Sequence, residues 1–150
     1  MSLREHSIYD CIINNARNYS DEIALVSGDL RLTYAEVPSH VNSLARGLLN
    51  TGFEKGDRIG VLLNNCAEYA LLLAACTRIG LITVCLNTRT SADEMRKMLE
   101  QAKPKALIFQ KSYEQQADEL RELGIHRQLY CIDEASILSS SFDQLLDEDP

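Results

Sequence analysis

The sequence predicts an α/β fold: a three-layer, parallel-rich sheet flanked by helices, with an N-terminal β-hairpin. Three observations carry that expectation. Short unbroken apolar runs, Ile59-Gly60-Val61-Leu62-Leu63 and Ala106-Leu107-Ile108-Phe109, suit strands covered on both faces. Segments of helical period stand between them, several with capping signals. Strands alternating with helices imply parallel pairing through right-handed crossovers.

Each element follows from local chemistry. Ser7 is placed to cap a first helix carrying Ile8, Ile12, Ala16 and Tyr19 on one side, with Asp21 and Glu22 at its end. Two apolar runs then flank Ser27-Gly28-Asp29, and Gly28 supplies the positive φ of a tight hairpin turn. Thr33 and Glu36 have capping-box spacing. The face Val41, Leu44, Ala45, Leu48 and Leu49 repeats with helical period, and Gly52 suits the C-terminal cap. Pro38 conflicts with a start at Thr33, so the helix either kinks there or begins near Ser39.

Gly56-Asp57 leads into the run at Ile59, and Asn64-Asn65 makes a turn. Cys66 to Ile79 is apolar almost all round, which predicts a deeply buried helix ended by Gly80. Ile82 to Leu86 is expected to be another buried strand. Ser91 and Glu94 form a second capping box for a helix carrying Met95, Met98, Leu99 and Ala102, stopped by Pro104. After Ala106–Phe109, Ser112 and Gln115 give a third box, with a helix to Leu123 and a Gly124 cap. Leu129 to Ile132 is a fourth strand. Beyond Asp133 the periodicity fades, and Ser139-Ser140-Ser141 and Asp147-Glu148-Asp149 suggest a solvated exit. Residues 1–150 thus make one α/β domain, with 134–150 as an exit segment or linker.

Composition narrows the function. A net charge of −7 repels phosphate backbones, so nucleic acid is not the expected partner. The longest apolar run, Tyr69 to Cys76, falls short of the roughly 20 residues a membrane helix needs. The N-terminus lacks the apolar core of a signal peptide. Cys11, Cys66, Cys76, Cys85 and Cys131 are odd in number and lack C-x-x-C spacing, which fits reduced core thiols and a cytoplasmic location.

Candidate sites are few. Gly52, Gly56 and Gly60 recur every fourth residue but precede and enter a strand, unlike a dinucleotide fingerprint. His6, His40 and His126 lie apart from any ligand or triad spacing. No catalytic, cofactor-binding or metal-binding residue is assigned. Asn87 and Arg89 follow a strand end, where open α/β sheets bind ligands, and are candidates for an anion or interdomain contact. A turn that positions the Ser91 cap is the structural alternative.

Leu32-Thr33-Tyr34-Ala35-Glu36, Gly56-Asp57-Arg58-Ile59, Glu68 with the Leu71-Leu72-Leu73-Ala74-Ala75 run, and Asn87 through Glu94 occur in an order that resembles the opening of the AMP-forming acyl-CoA synthetases. That family of adenylate-forming ligases also includes luciferases and peptide-synthetase adenylation domains. The resemblance implies ATP-dependent activation of a carboxylic acid through an acyl-adenylate, followed by transfer to coenzyme A. It implies ATP, Mg2+ and coenzyme A as cofactors of the whole enzyme, with none expected to bind this chain. The family's phosphate loop, T-S-G-T-T-G-x-P-K-G, does not occur in these residues. The chain is therefore expected to be an inactive N-terminal fragment that scaffolds the remainder of the same polypeptide. An oligomer remains open. So do a peptide-synthetase-type adenylation fragment, a non-catalytic module of the same fold and a flavodoxin-like nucleotide-binding protein.

Overall fold

The computed structural model describes residues 7–122, 128–133 and 140–146. The expected Gly124 cap, His6, His126, Ser139 and the acidic end lie outside them. Helix α1 (Ile8–Asn18) is capped by Ser7, whose hydroxyl accepts from the Asp10 N–H while Asp10 answers in a capping box. Strands β1 (Ile23–Ser27) and β2 (Leu30–Thr33) form the antiparallel hairpin, with Ser27 opposite Leu30 and Gly28 at φ 56°.

Helix α2 (Val37–Asn50) resolves the conflict at Pro38. The helix starts at Val37, so proline occupies its first turn, where a missing N–H costs no intrahelical bond. The Thr33–Glu36 bonds form, at 2.8 and 2.9 Å, but they close a turn ahead of the helix. At the far end Phe53 donates to Leu48 O and Gly52 to Leu49 O, a Schellman closure with Gly52 at φ 88°.

The main sheet contains β3 (Arg58–Leu62), β4 (Ile82–Cys85), β5 (Ala106–Phe109), β6 (Gln128–Cys131) and β7 (Ser140–Ser141), in the order β4-β3-β5-β6-β7, all parallel. Because the chain steps from β3 to one side and then back to the other, right-handed crossovers put α3 (Ala67–Ile79) on one face. They put α4 (Ala92–Ala102) and α5 (Glu114–Glu122) on the opposite face. Two cores result, as the period of two requires. Ile59, Val61, Ala106 and Ile108 pack beneath α2 and α3. Leu62, Leu107 and Phe109 pack beneath α4 and α5 with Met95, Leu99 and Leu120.

The hairpin is stitched to the first layer through its apolar side, with Leu32 buried. Helix α1 is held by Tyr9. Its hydroxyl donates to Asn42 Oδ1 at 2.7 Å, and the Arg78 guanidinium lies 4.2 Å from its ring centre.

Four expectations need correction. Helix α3 is half-buried, not deeply buried: Ala67, Leu72, Ala74, Ala75 and Cys76 are buried, while Ala70 and Arg78 are exposed. The strand at Ile82 is not buried: it is the sheet's edge, with Ile82 47% exposed and Cys85 exposed. Apolar, β-branched composition reports strand character but not how many neighbours a strand has. The third capping box is absent; Lys111–Tyr113 form a 3-10 turn that leads directly into α5. The exit segment is only partly solvated where it is described. Ser140–Ser141 pair with β6, and the 3-10 turn Phe142–Leu145 buries Phe142 and Leu145 against α2.

Candidate functional site

In an open α/β sheet the ligand crevice lies where the strand order reverses, outside the carboxyl ends. Here that point falls between β3 and β5. Two loops meet there, Leu63-Asn64-Asn65 and Gln110-Lys111-Ser112-Tyr113. They are tied to each other: the Asn64 N–H donates to Gln110 Oε1 at 3.2 Å, and the Tyr113 hydroxyl donates to Asn64 Oδ1 at 2.7 Å. One strand further on, the Lys111 N–H donates to Asp133 Oδ2 at 2.8 Å. The crevice is thus bridged by the chain's own side chains. Sequence spacing gave no sign of this network, because its partners stand 46 and 49 residues apart.

Asn87 and Arg89 lie at the carboxyl end of β4. Asn87 Oδ1 accepts from the Arg89 N–H at 3.0 Å, and Asn87 O accepts from the Thr90 N–H and hydroxyl at 3.0 and 2.8 Å. This turn delivers Ser91 to its place as the α4 cap, completed by Glu94. Both Asn87 and Arg89 are exposed. The pair is brought together by backbone chemistry, and its bonds do not run to the Asn64 network.

A second polar knot closes the opposite, amino end of the sheet. Lys105 Nζ donates to Gly52 O at 2.6 Å and to Asp57 Oδ2 at 2.8 Å, with the Phe53 ring centre 5.3 Å away. The Lys105 ammonium, followed by the Glu54 N–H, holds the Asp57 carboxyl below its ordinary range. Both side chains are partly exposed, so the clip orders a corner more than it stabilises the fold.

The thiols are unreactive where they are buried. Burial, above all, pushes Cys66 up to about 11 and Cys76 up to about 12. Tyr69 is pushed up to about 12, again mainly by burial. Cys131 is buried too, but Cys11 and Cys85 are exposed, so these two are not the core thiols the sequence suggested. Iodoacetamide at mildly alkaline pH should therefore alkylate Cys11 and Cys85 first and Cys66 slowly. Cys76 and Cys131 should react only after unfolding, as followed by peptide mass spectrometry. Native Cys76 reacting as fast as Cys11 would contradict the packing around α3.

Among the described residues no group of three or more His, Cys, Asp or Glu could hold a metal ion. Gly52 and Gly56 serve a helix end and a turn. Gly60 sits inside β3, where a Cβ would come within 3.0 Å of Leu107 and 3.3 Å of Leu99. His40 is exposed and lines, with Leu32, Leu44, Leu71 and Phe142, an apolar cavity of about 180 Å3. A second cavity of about 170 Å3 lies between α1, the hairpin and α3. Both are smaller than the roughly 300–1,000 Å3 of typical small-molecule sites, whereas an open groove between α4 and α5, lined by Asp93, Arg96 and Glu119, reaches about 330 Å3. Among the described residues no helix is long and apolar enough to cross a membrane.

Order β4-β3-β5-β6, helices on both faces and a leading hairpin define a doubly wound α/β layer whose own crevice is bridged. The chain belongs to the AMP-binding enzyme family, whose profile matches residues 12–149. It is 33% identical over 116 residues to the mitochondrial medium-chain acyl-CoA ligase ACSF2 of Homo sapiens, covering 76% of this chain and 19% of that protein. It is 30% identical over 102 residues to the 2-succinylbenzoate–CoA ligase of Bacillus pumilus, covering 68% of this chain and 21% of that one. A solved structure from Rhodopseudomonas palustris, provisionally described as a long-chain-fatty-acid CoA ligase, superposes with a TM-score of 0.91 at 29% identity. That match covers 99% of this chain and 38% of the other. The chain thus spans about a fifth of the curated relatives.

Proposed function

We propose that this chain is the N-terminal α/β part of an AMP-forming acid–thiol ligase, in which it acts as scaffold and helps wall the acyl pocket. The whole enzyme joins a carboxylic acid to coenzyme A through an acyl-adenylate formed from Mg-ATP. The match that covers nearly all of this chain but 38% of a ligase-like chain carries the reading. The family profile over residues 12–149 supports it. The crevice bridged by Asn64, Gln110 and Tyr113 agrees with a part whose chemistry is supplied from elsewhere. No residue here is assigned to either chemical step.

The acid stays at the level of its class, because the relatives' names span medium-chain acyl groups and 2-succinylbenzoate. Asn87 and Arg89, exposed at a strand's carboxyl end, are placed to meet the rest of the enzyme or an anion held there. Five unpaired thiols support a reducing compartment such as the cytoplasm. The test is pyrophosphate release by the isolated chain with ATP and a panel of fatty and aryl acids. Release at the level of the enzyme-free blank is expected. Robust turnover would refute the assignment of the chemistry to another part of the enzyme.

A further inference from the structure

Helix α1 is weakly anchored to the first layer. None of its 11 residues is buried, and Ile8 is 56% exposed. Helix α2, by contrast, buries Val37, Val41, Leu44, Ala45, Gly47 and Leu48. Tyr9 and Ile12 carry the contact of α1 with the core. Beneath Ile12 the packing is incomplete. The cavity of about 170 Å3 is walled there by Ile12, by Ala24 and Leu25 of the hairpin, and by Ala70, Leu71 and Ala74 of α3. Such a void forfeits dispersion contacts that would otherwise hold the helix down.

The helix is also built to move without dismantling its neighbours. Its cap is internal, because Ser7 and Asp10 satisfy each other within the first turn. At the other end the chain is pinned to the hairpin: the Ala35 N–H donates to Ser20 O at 3.1 Å and the Tyr34 N–H to Glu22 O at 2.9 Å. Tyr19, the C-cap, stands between that fixed base and the loosely seated helix. We propose that α1 is a lid hinged at Tyr19 and latched by Tyr9. A small apolar molecule of benzene size, held in the cavity, keeps it shut. Apolar cavities of about 150 Å3 accept benzene. Ile12 is one wall, so the molecule is fully contacted only when the lid is closed, and such differential contact is what shifts an equilibrium. The latch is the Tyr9 hydroxyl bond to Asn42 together with the Arg78 guanidinium over its ring. A helix of 11 residues is marginal once undocked, so opening also frees its amides.

Hydrogen exchange of the whole chain, with and without benzene near its solubility limit, tests this. The amides of residues 12–18, corrected for intrinsic rate, should be at least about tenfold less protected than those of β3 and β5. Benzene should slow them by at least about threefold. Ala70 lines the cavity from an exposed position, so Ala70→Leu fills it from the rim. That variant should slow α1 exchange without benzene and abolish the benzene effect. Tyr9→Phe, which keeps the ring and removes the bond to Asn42, should speed α1 exchange by about fivefold and decides the matter if the leucine variant misfolds. Protection of α1 equal to that of β3 and β5 overturns the lid. Exchange that Tyr9→Phe leaves unchanged overturns the latch. A benzene effect that is absent, or that survives Ala70→Leu, overturns the cavity as its seat.

Discussion

Phe109→Ala lowers the unfolding free energy by about 3–5 kcal/mol. Phe109 is 1% exposed and is the largest fully buried side chain. It projects from β5, between β3 and β6, into the core beneath α4 and α5, where Leu62, Leu86, Leu99, Ala117 and Leu120 gather. Truncation removes the transfer free energy of a phenyl ring and leaves a void that two helices cannot close without sliding on the sheet. Domains of this size are stable by about 5–15 kcal/mol, so the loss is a large share of the whole. Urea unfolding followed by circular dichroism measures it. A cost below about 1 kcal/mol would mean that α4 and α5 do not pack on β5 as described.

Gly47→Ala is expected to act through a different mechanism and on a different part of the molecule. Gly47 lies inside α2, where glycine normally weakens a helix by about 1 kcal/mol relative to alanine. On propensity alone the substitution would stabilise. A Cβ at this position, however, overlaps the Leu145 carbonyl group and comes within 3.1 Å of the Leu146 N. These are backbone atoms and cannot rotate aside. Either α2 shifts, or the 3-10 turn Phe142–Leu145 lifts and uncovers Phe142 and Leu145. The net cost should reach about 1–3 kcal/mol. Hydrogen exchange should show the loss concentrated in residues 140–146, with β3 and β5 still protected. A stabilised variant would show that the close approach of α2 and the 3-10 turn is wrong.

Much of this fold was legible because it depends on short-range chemistry. The Ser7 cap, the capping box at Ser91, the positive φ of Gly28 and the helix ends at Gly52 and Gly80 are local demands. The unbroken apolar runs of β3 and β5 announce strands covered on both faces. The errors fall where distant segments decide. Ile82-Thr83-Val84-Cys85 reads like a central strand, and its place at the edge follows only from the sheet order. Phe142 and Leu145 are too few to set a period, yet the glycine at position 47 leaves room for their turn. Pro38 seemed to deny the helix start it in fact marks.

The same division holds at the candidate site. The turn at Asn87 was readable from its position between a strand and a capped helix. The Asn64–Gln110–Tyr113 network and the Lys105–Asp57 clip were not, because each joins residues more than 45 positions apart.

The sheet order also bears on how the chain is made. Strand β3 is the first of the five to leave the ribosome, and it lies inside the sheet. Strand β4 adds to one flank, β5 to the other, then β6 and β7 follow outward in turn. No later strand has to wedge between two that are already joined. At roughly 5–20 residues per second, each new strand arrives within seconds to find its ledge exposed and waiting. Assembly can thus keep pace with translation.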